Sequence, residues 1–277
     1  MSLNEKKLKE LKEVCKGLRA SILKMTNAAA SGHPGGSLSA VEILTVLYFS
    51  IMSYDPKNPN WQERDRLVVS KGHSTPLVYS ILAKAGYYKG DDLLTFRSLG
   101  SPYQGHTDRL KVPGIEVSTG SLGHGTSNAV GMALGCRLDK LKNRIYLLQS
   151  DGELQEGSTW EAIMSASHYH LGNLTCIVDR NRIQLDGWTE ETMTLEPINK
   201  RYEAFGWHVQ EVNGHDLNQV HDALLKTQEI GPKENKPCVI IAHTVKGKGI
   251  SFMEDEVKWH GVAPNNEELQ KALGELE

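Results

Sequence analysis

Asp151 and Asn181 are the pair in this chain best suited to hold a hard cation. Asp151 follows the apolar run Ile145-Tyr146-Leu147-Leu148, which reads as a buried strand. Asn181 follows a second run, Leu174 to Val178, rich in β-branched residues. Between them Ser158 and Glu161 have the serine-x-x-glutamate spacing of a helix start, predicting a helix through His170. If the two strands are parallel neighbours, the carboxylate and the amide leave the sheet at one edge, where open α/β sheets bind ligands. Such oxygens suit Mg²⁺ or Ca²⁺, and Mg²⁺ usually completes its shell with phosphate oxygens. That makes a metal-bridged diphosphate site. Asp and Asn after strands are also common turn formers, and spacing alone leaves both readings open.

Histidines supply the second set of candidates. Of 11, five directly follow glycine: His33, His73, His106, His124 and His215. Glycine lets backbone approach a ligand closely, and histidine can donate to phosphate or shuttle a proton near neutral pH. Taken singly, each also reads as a turn histidine. Several at predicted strand or helix ends point to a shared site. His73 precedes a helix predicted from Ser74 to Ala85, where N–H groups and the helix dipole favour anions. The segment Gly120 to Gly125 precedes a helix predicted from Thr126 to Leu141; its G-x-x-G-x-G pattern is not the dinucleotide fingerprint. Lys246 and Lys248 in the glycine-rich segment 245–249 either bind phosphate or solvate a loop.

The elements that must position these residues follow from periodicity. Leu8, Leu11, Cys15, Leu18, Ile22 and Met25 recur at helical spacing and predict an amphipathic first helix. Ser39 and Glu42 predict a second capping box, opening a helix to about Phe49. Further strands are expected at 66–70, 207–212 and 238–242, and helices at 199–204, 217–229 and 265–273. Residues 101–114 form a long irregular segment, of the kind that is often functional. Alternation of strands and helices predicts an α/β layered fold with a mainly parallel sheet, as one domain over 1–277.

Composition sets the bounds. The chain has 277 residues, 39% hydrophobic and 23% charged, with a formal net charge of −3, which argues against nucleic acid or an anionic membrane as partner. No apolar stretch reaches membrane-spanning length, and the first residues lack an apolar signal core, which points to the cytoplasm. Four scattered cysteines without C-x-x-C spacing read as reduced, buried thiols.

Seven segments together carry a family resemblance: SGHPGGSLSAVE, VVSKGHSTPLVYSIL, QGHTDRLKVPGIEVSTGSLGHGTSNAVGMALG, SDGELQEGSTWEA, DRNRIQLDG, KRYEAFGWHV and WHGVAP. In that order they resemble the first, diphosphate-binding half of transketolase, over nearly the whole chain. The resemblance implies a three-layer α/β/α fold and thiamine diphosphate held through Mg²⁺ or Ca²⁺. It implies metal ligation by Asp151, Asn181 and the Ile183 carbonyl. His73, Gly152 and His260 would contact the diphosphate, Asn181 would serve it through the metal, and Gly120, Ser121 and Leu122 would line the cofactor. His33, His106 and His260 would face the sugar, and Glu156 would be the acidic residue between two active sites. The implied reaction moves a two-carbon ketol unit from a ketose phosphate to an aldose phosphate. Two departures stand out: Ser150 replaces glycine before the metal ligand, in what reads as a tight turn, and His124 replaces glutamine. The chain is also less than half as long as a full transketolase. That implies the N-terminal subunit of a split enzyme, active in an α2β2 heterotetramer with a C-terminal partner subunit. Alternatives are a subunit of another thiamine diphosphate enzyme, of the deoxyxylulose phosphate synthase or 2-oxo-acid dehydrogenase type, or a non-catalytic cofactor-binding subunit.

Overall fold

A computed structural model describes residues 3–185 and 187–277. The chain opens with helix α1 (Glu5–Ala28), the short α2 (Pro34–Leu38) and α3 (Val41–Val46). Strand β1 (Arg66–Val69), α4 (Thr75–Ala85), α5 (His124–Leu138) and β2 (Ile145–Ser150) follow. Next come α6 (Gly157–His168), β3 (Leu174–Arg180), α7 (Thr189–Thr192), α8 (Ile198–Ala204) and β4 (His208–Asn213). Helix α9 (Leu217–Glu234), β5 (Cys238–His243) and α10 (Asn266–Gly274) complete it. All five strands pair in parallel, in the order β1-β2-β3-β5-β4.

Both faces of the sheet are apolar, as near-continuous hydrophobic strands require. Leu67, Val69, Tyr146, Leu148, Ile177 and Ile240 pack with α1, α3, α4 and α9 on one face. Val68, Leu147, Cys176, Val178, Val239 and Ile241 pack with α5, α6 and α8 on the other. The expected α/β/α layering is therefore present. Strands β1, β2 and β3 advance across the sheet, the chain then crosses to β4, and β5 returns to the gap beside β3. Such a reversal opens a crevice at the carboxyl ends of the strands.

Several local expectations are corrected. Ser39 and Glu42 do not form a capping box; α3 starts at Val41 without a side-chain cap. Both side chains are drawn into buried tertiary bonds instead, Ser39 to Asp179 and Glu42 to Arg19. Ser158 and Glu161 do not cap α6 either. A 3-10 turn, Gly152–Gln155, leads the chain straight into that helix, and Thr159 and Trp160 donate back to carbonyls of the turn. Helix α5 begins at His124, inside the glycine motif that was expected to precede it. Ser150 is the last residue of β2, paired with Asp179, so its side chain is not in a tight turn. The four cysteines are unpaired and buried. Among the described residues no helix is long and apolar enough to cross a membrane.

Candidate active site

The carboxyl ends of four strands converge on one cavity of about 350 Å³. Its walls include Lys71 and His73 after β1, Asp151, Gly152 and Glu156 after β2, Asn181 and Ile183 after β3, and Lys246 after β5. His33, Gly120, Leu122 and His260 close it. Larger surface hollows of about 420, 540 and 670 Å³ lie elsewhere, but none of these gathers side chains from several strand ends.

Close backbone approach brings the walls together. A Cβ on Gly72 would lie 2.5 Å from the Thr119 carbonyl carbon, and one on Gly35 would lie 2.7 Å from the Trp259 carbonyl oxygen. Only glycine allows the turn after β1 to meet the 119–120 loop, and α2 to meet the segment bearing His260.

Asp179, fully buried at the end of β3, ties the oxygen-rich wall in place. Its Oδ2 accepts from Ser39 Oγ at 2.6 Å, Lys71 Nζ at 2.5 Å and Asn181 Nδ2 at 3.0 Å. Thr244 Oγ1 donates to its other oxygen. Burial alone would raise this carboxyl, but the Lys71 charge and these bonds outweigh it and hold the group below its usual range. Because Asn181 donates its NH₂ to Asp179, its amide oxygen faces the other way, where among the described residues it accepts only from the Ile183 N–H at 3.2 Å. Asp151 Oδ2 is occupied by Arg180 at 3.0 Å and the Arg182 N–H at 2.6 Å. Its Oδ1 has one backbone partner, Gly152 N, at 2.8 Å.

A carboxylate oxygen, an amide oxygen and the Ile183 carbonyl make a hard, all-oxygen donor set that fits a divalent cation. The Ile183 carbonyl here accepts from the Lys246 ammonium at 2.8 Å. Among the described residues no three His, Cys, Asp or Glu side chains are grouped to hold a metal, so a cation would rely on Asn181, Ile183 and phosphate oxygens beside Asp151.

His33, His73 and His260 form a triangle, with ring centroids 5.2, 5.7 and 5.4 Å apart. Burial pushes His33 down to about 4, helped by Arg97, His106 and Lys246. Burial with Lys246 beside it brings His260 to about 3, and burial with His33 and His260 holds His73 well below the ordinary value. All three are uncharged at neutral pH. Lys246 can only donate, so its 2.7 Å contact makes His260 Nδ1 an acceptor and leaves the proton on Nε2. Lys246 itself is pushed down to about 8, mainly by burial. Burial likewise raises Glu153 to about 7, although Ser70 Oγ and the Gly123 and Ser150 N–H groups donate to it.

Most of the expected site residues meet here, with two exceptions. Ser121 is exposed and does not line the cavity. His106 is exposed at the rim, its ring 3.1 Å from where a Gly120 Cβ would stand. His124 is exposed at the start of α5, and His215 binds Glu42. Sequence reasoning missed Lys71, Asp179 and Glu153. A lysine directly after an apolar strand was the available signal for Lys71; nothing local marked the acids as buried.

Comparison with known proteins agrees with this geometry. The family model for the transketolase thiamine diphosphate binding domain matches residues 11–276. The chain is 44% identical over 268 residues to one subunit of the apulose-4-phosphate transketolase of Actinobacillus succinogenes, covering 96% of each. It is 44% identical over 246 residues to a 6-deoxy-6-sulfo-D-fructose transketolase subunit of a Clostridium species, covering 89% of this chain and 88% of that one. Human transketolase is 41% identical over 259 residues, of which the match spans only 40%. Among solved structures, the Campylobacter jejuni transketolase superposes with a TM-score of 0.89 at 36% identity, covering 99% of this chain and 43% of that one. The chain belongs to the transketolase thiamine diphosphate binding domain family.

Proposed function

We propose that this chain, as one cofactor-binding domain, is the diphosphate-side subunit of a split transketolase. It would act in the cytoplasm, with a C-terminal partner subunit in an α2β2 assembly. The observation that carries this is the convergence of Asp151, Asn181 and Ile183 with Lys246 and three uncharged histidines on one cavity. Relatives that the chain matches almost end to end are named as transketolase subunits, which supports the split arrangement. Two of them bear different substrate names, so we place the donor and acceptor only as a ketose phosphate and an aldose phosphate.

Bound thiamine diphosphate would supply the thiazolium carbon that adds to the donor carbonyl and the ring that takes up its electrons. Asp151, Asn181 and the Ile183 carbonyl would hold Mg²⁺ or Ca²⁺ together with the diphosphate. His73, His260 and Gly152 would contact the diphosphate. Gly120 and Leu122 wall the cofactor. His33, His260 and, at the rim, His106 exchange protons with sugar hydroxyls; uncharged imidazoles can both donate and accept. Glu156 is exposed where the cavity opens; it would be the acidic residue between two active sites.

The purified chain alone is expected to show no ketol transfer from xylulose 5-phosphate, and adding the co-purifying partner should restore it. Full activity of the lone chain would overturn the split-enzyme reading. Preference for pyruvate by the assembled pair would instead indicate the deoxyxylulose phosphate synthase or 2-oxo-acid dehydrogenase class.

A further inference from the structure

Beneath the turn that carries Lys246 lies a charged cluster that none of the roles above uses. Glu42 on α3 accepts from Arg19 NH2 of α1 at 2.7 Å and contacts His215 Nδ1 at 3.0 Å. All three side chains are almost buried, at 10%, 8% and 13% exposure, and none lines the cavity. Each end of the cluster grips the backbone of the 245–249 turn. The Val245 N–H donates to His215 Nε2 at 2.8 Å, and Arg19 Nε donates to the Lys248 carbonyl at 2.9 Å. Between these anchors, the Gly247 N–H donates to the Gly35 carbonyl at 3.1 Å. The Lys246 side chain runs the other way, to Ile183 O and His260 Nδ1.

The bonding is directional. A backbone N–H only donates, so His215 Nε2 must accept, and the ring proton sits on Nδ1 and is given to Glu42. Glu42 therefore sets both the tautomer of His215 and the direction of Arg19. Ion pairing between α1 and α3 alone would need neither contact with the turn. We propose that Glu42, with Arg19 and His215, is a positioning cluster that clamps the 245–249 turn and so keeps Lys246 at the cofactor site; this role rests on the cofactor reading above.

Glu42→Gln is the sharp test, because it keeps an oxygen for Arg19 but sets an NH₂ against His215 Nδ1–H. If the ring moves its proton to Nε2, it faces the Val245 N–H instead. Hydrogen exchange on the full chain should then rise in peptides covering 244–250 and stay unchanged in β2 and β3. Unchanged exchange at 244–250 would overturn the clamp. With the co-expressed partner, calorimetric titration of thiamine diphosphate with Mg²⁺ should show about tenfold weaker binding for Glu42→Gln, the usual scale for an outer-shell partner. Lys246→Met should weaken it at least as much. The double variant should lie within about twofold of Lys246→Met alone, since Glu42 acts through that lysine. Additive losses would mean a general structural role and refute the proposal. His215→Phe, which removes the acceptor for Val245, should repeat the exchange result if Glu42→Gln folds poorly. If the wild-type complex binds no cofactor while exchange still rises, the cofactor reading fails and the clamp itself stands.

Discussion

Asp179 shows how single residues prepare this site. It is fully buried, yet stays ionised because Lys71 lies 2.5 Å away and three further groups donate to it. Removing one member of such a pair leaves the other uncompensated, at a cost of about 3–5 kcal/mol. Asp179→Asn should therefore lower stability by about that much in urea titrations, and Lys71→Met/Asp179→Asn should recover part of the loss. A loss no larger in Asp179→Asn than in the double variant would show that the pair is not coupled. The histidine triangle makes a pH prediction. His33 and His260 have ordinary values of 6.5, lowered on folding to about 4 and 3. Between these limits the unfolded chain binds more protons than the folded one. Stability from these groups is complete above about 6.5 and is lost as pH falls towards 4. Burial raises two carboxyls of the site, Glu153 from 4.5 to about 7 and Asp151, which oppose this, while His73, His106 and His208 are lowered as the first two histidines are. Chemical denaturation should show lower stability at pH 5 than at pH 7, with a shallower slope in His33→Gln; a flat profile in both would contradict the buried, uncharged assignment.

At the scale of elements, the site depends on how closely turns cross rather than on helix or strand propensity. The turn after β1 presses on the 119–120 loop at Gly72, where an added Cβ would meet backbone 2.5 Å away. Backbone cannot rotate aside as a side chain can, so Gly72→Ala must separate the two segments, at about 1–3 kcal/mol. The same variant should weaken cofactor binding, because Lys71 and His73 flank that glycine and Gly120 sits on the opposing loop. A stable Gly72→Ala protein with unaltered cofactor affinity would show that this crossing does not shape the site. The capping boxes carry the same lesson. Asn265 and Glu268 form one at the exposed start of α10, whereas Ser39 and Glu42 have the sequence but give their side chains to buried partners. A cap signal wins where no stronger tertiary partner is near.

Across the whole molecule, the cofactor reading is a linkage statement. A ligand bound only by the folded form stabilises by about 2.7 kcal/mol at one hundred times its dissociation constant. Saturating thiamine diphosphate with Mg²⁺ should raise the Tm of the assembled protein, excess EDTA should abolish most of that rise, and Asp151→Ala should not respond to Mg²⁺. An EDTA-insensitive rise would show that no divalent cation bridges the diphosphate. The strand order and the position of the site were only partly legible beforehand. Apolar runs and their spacing determined that strands and helices alternate, that the sheet is mainly parallel, and that Asp151, Asn181 and His73 sit at strand ends, because periodicity and strand punctuation are local properties of the chain. Which histidines meet was a tertiary decision: His33, His73 and His260 converge, while His106 stays at the rim, His124 faces solvent and His215 turns to Glu42. The Lys71–Asp179 pair and the placing of Lys246 beside Ile183 were decided there too. Those contacts join residues far apart in sequence, and their charges are kept buried only by partners that strand order delivers.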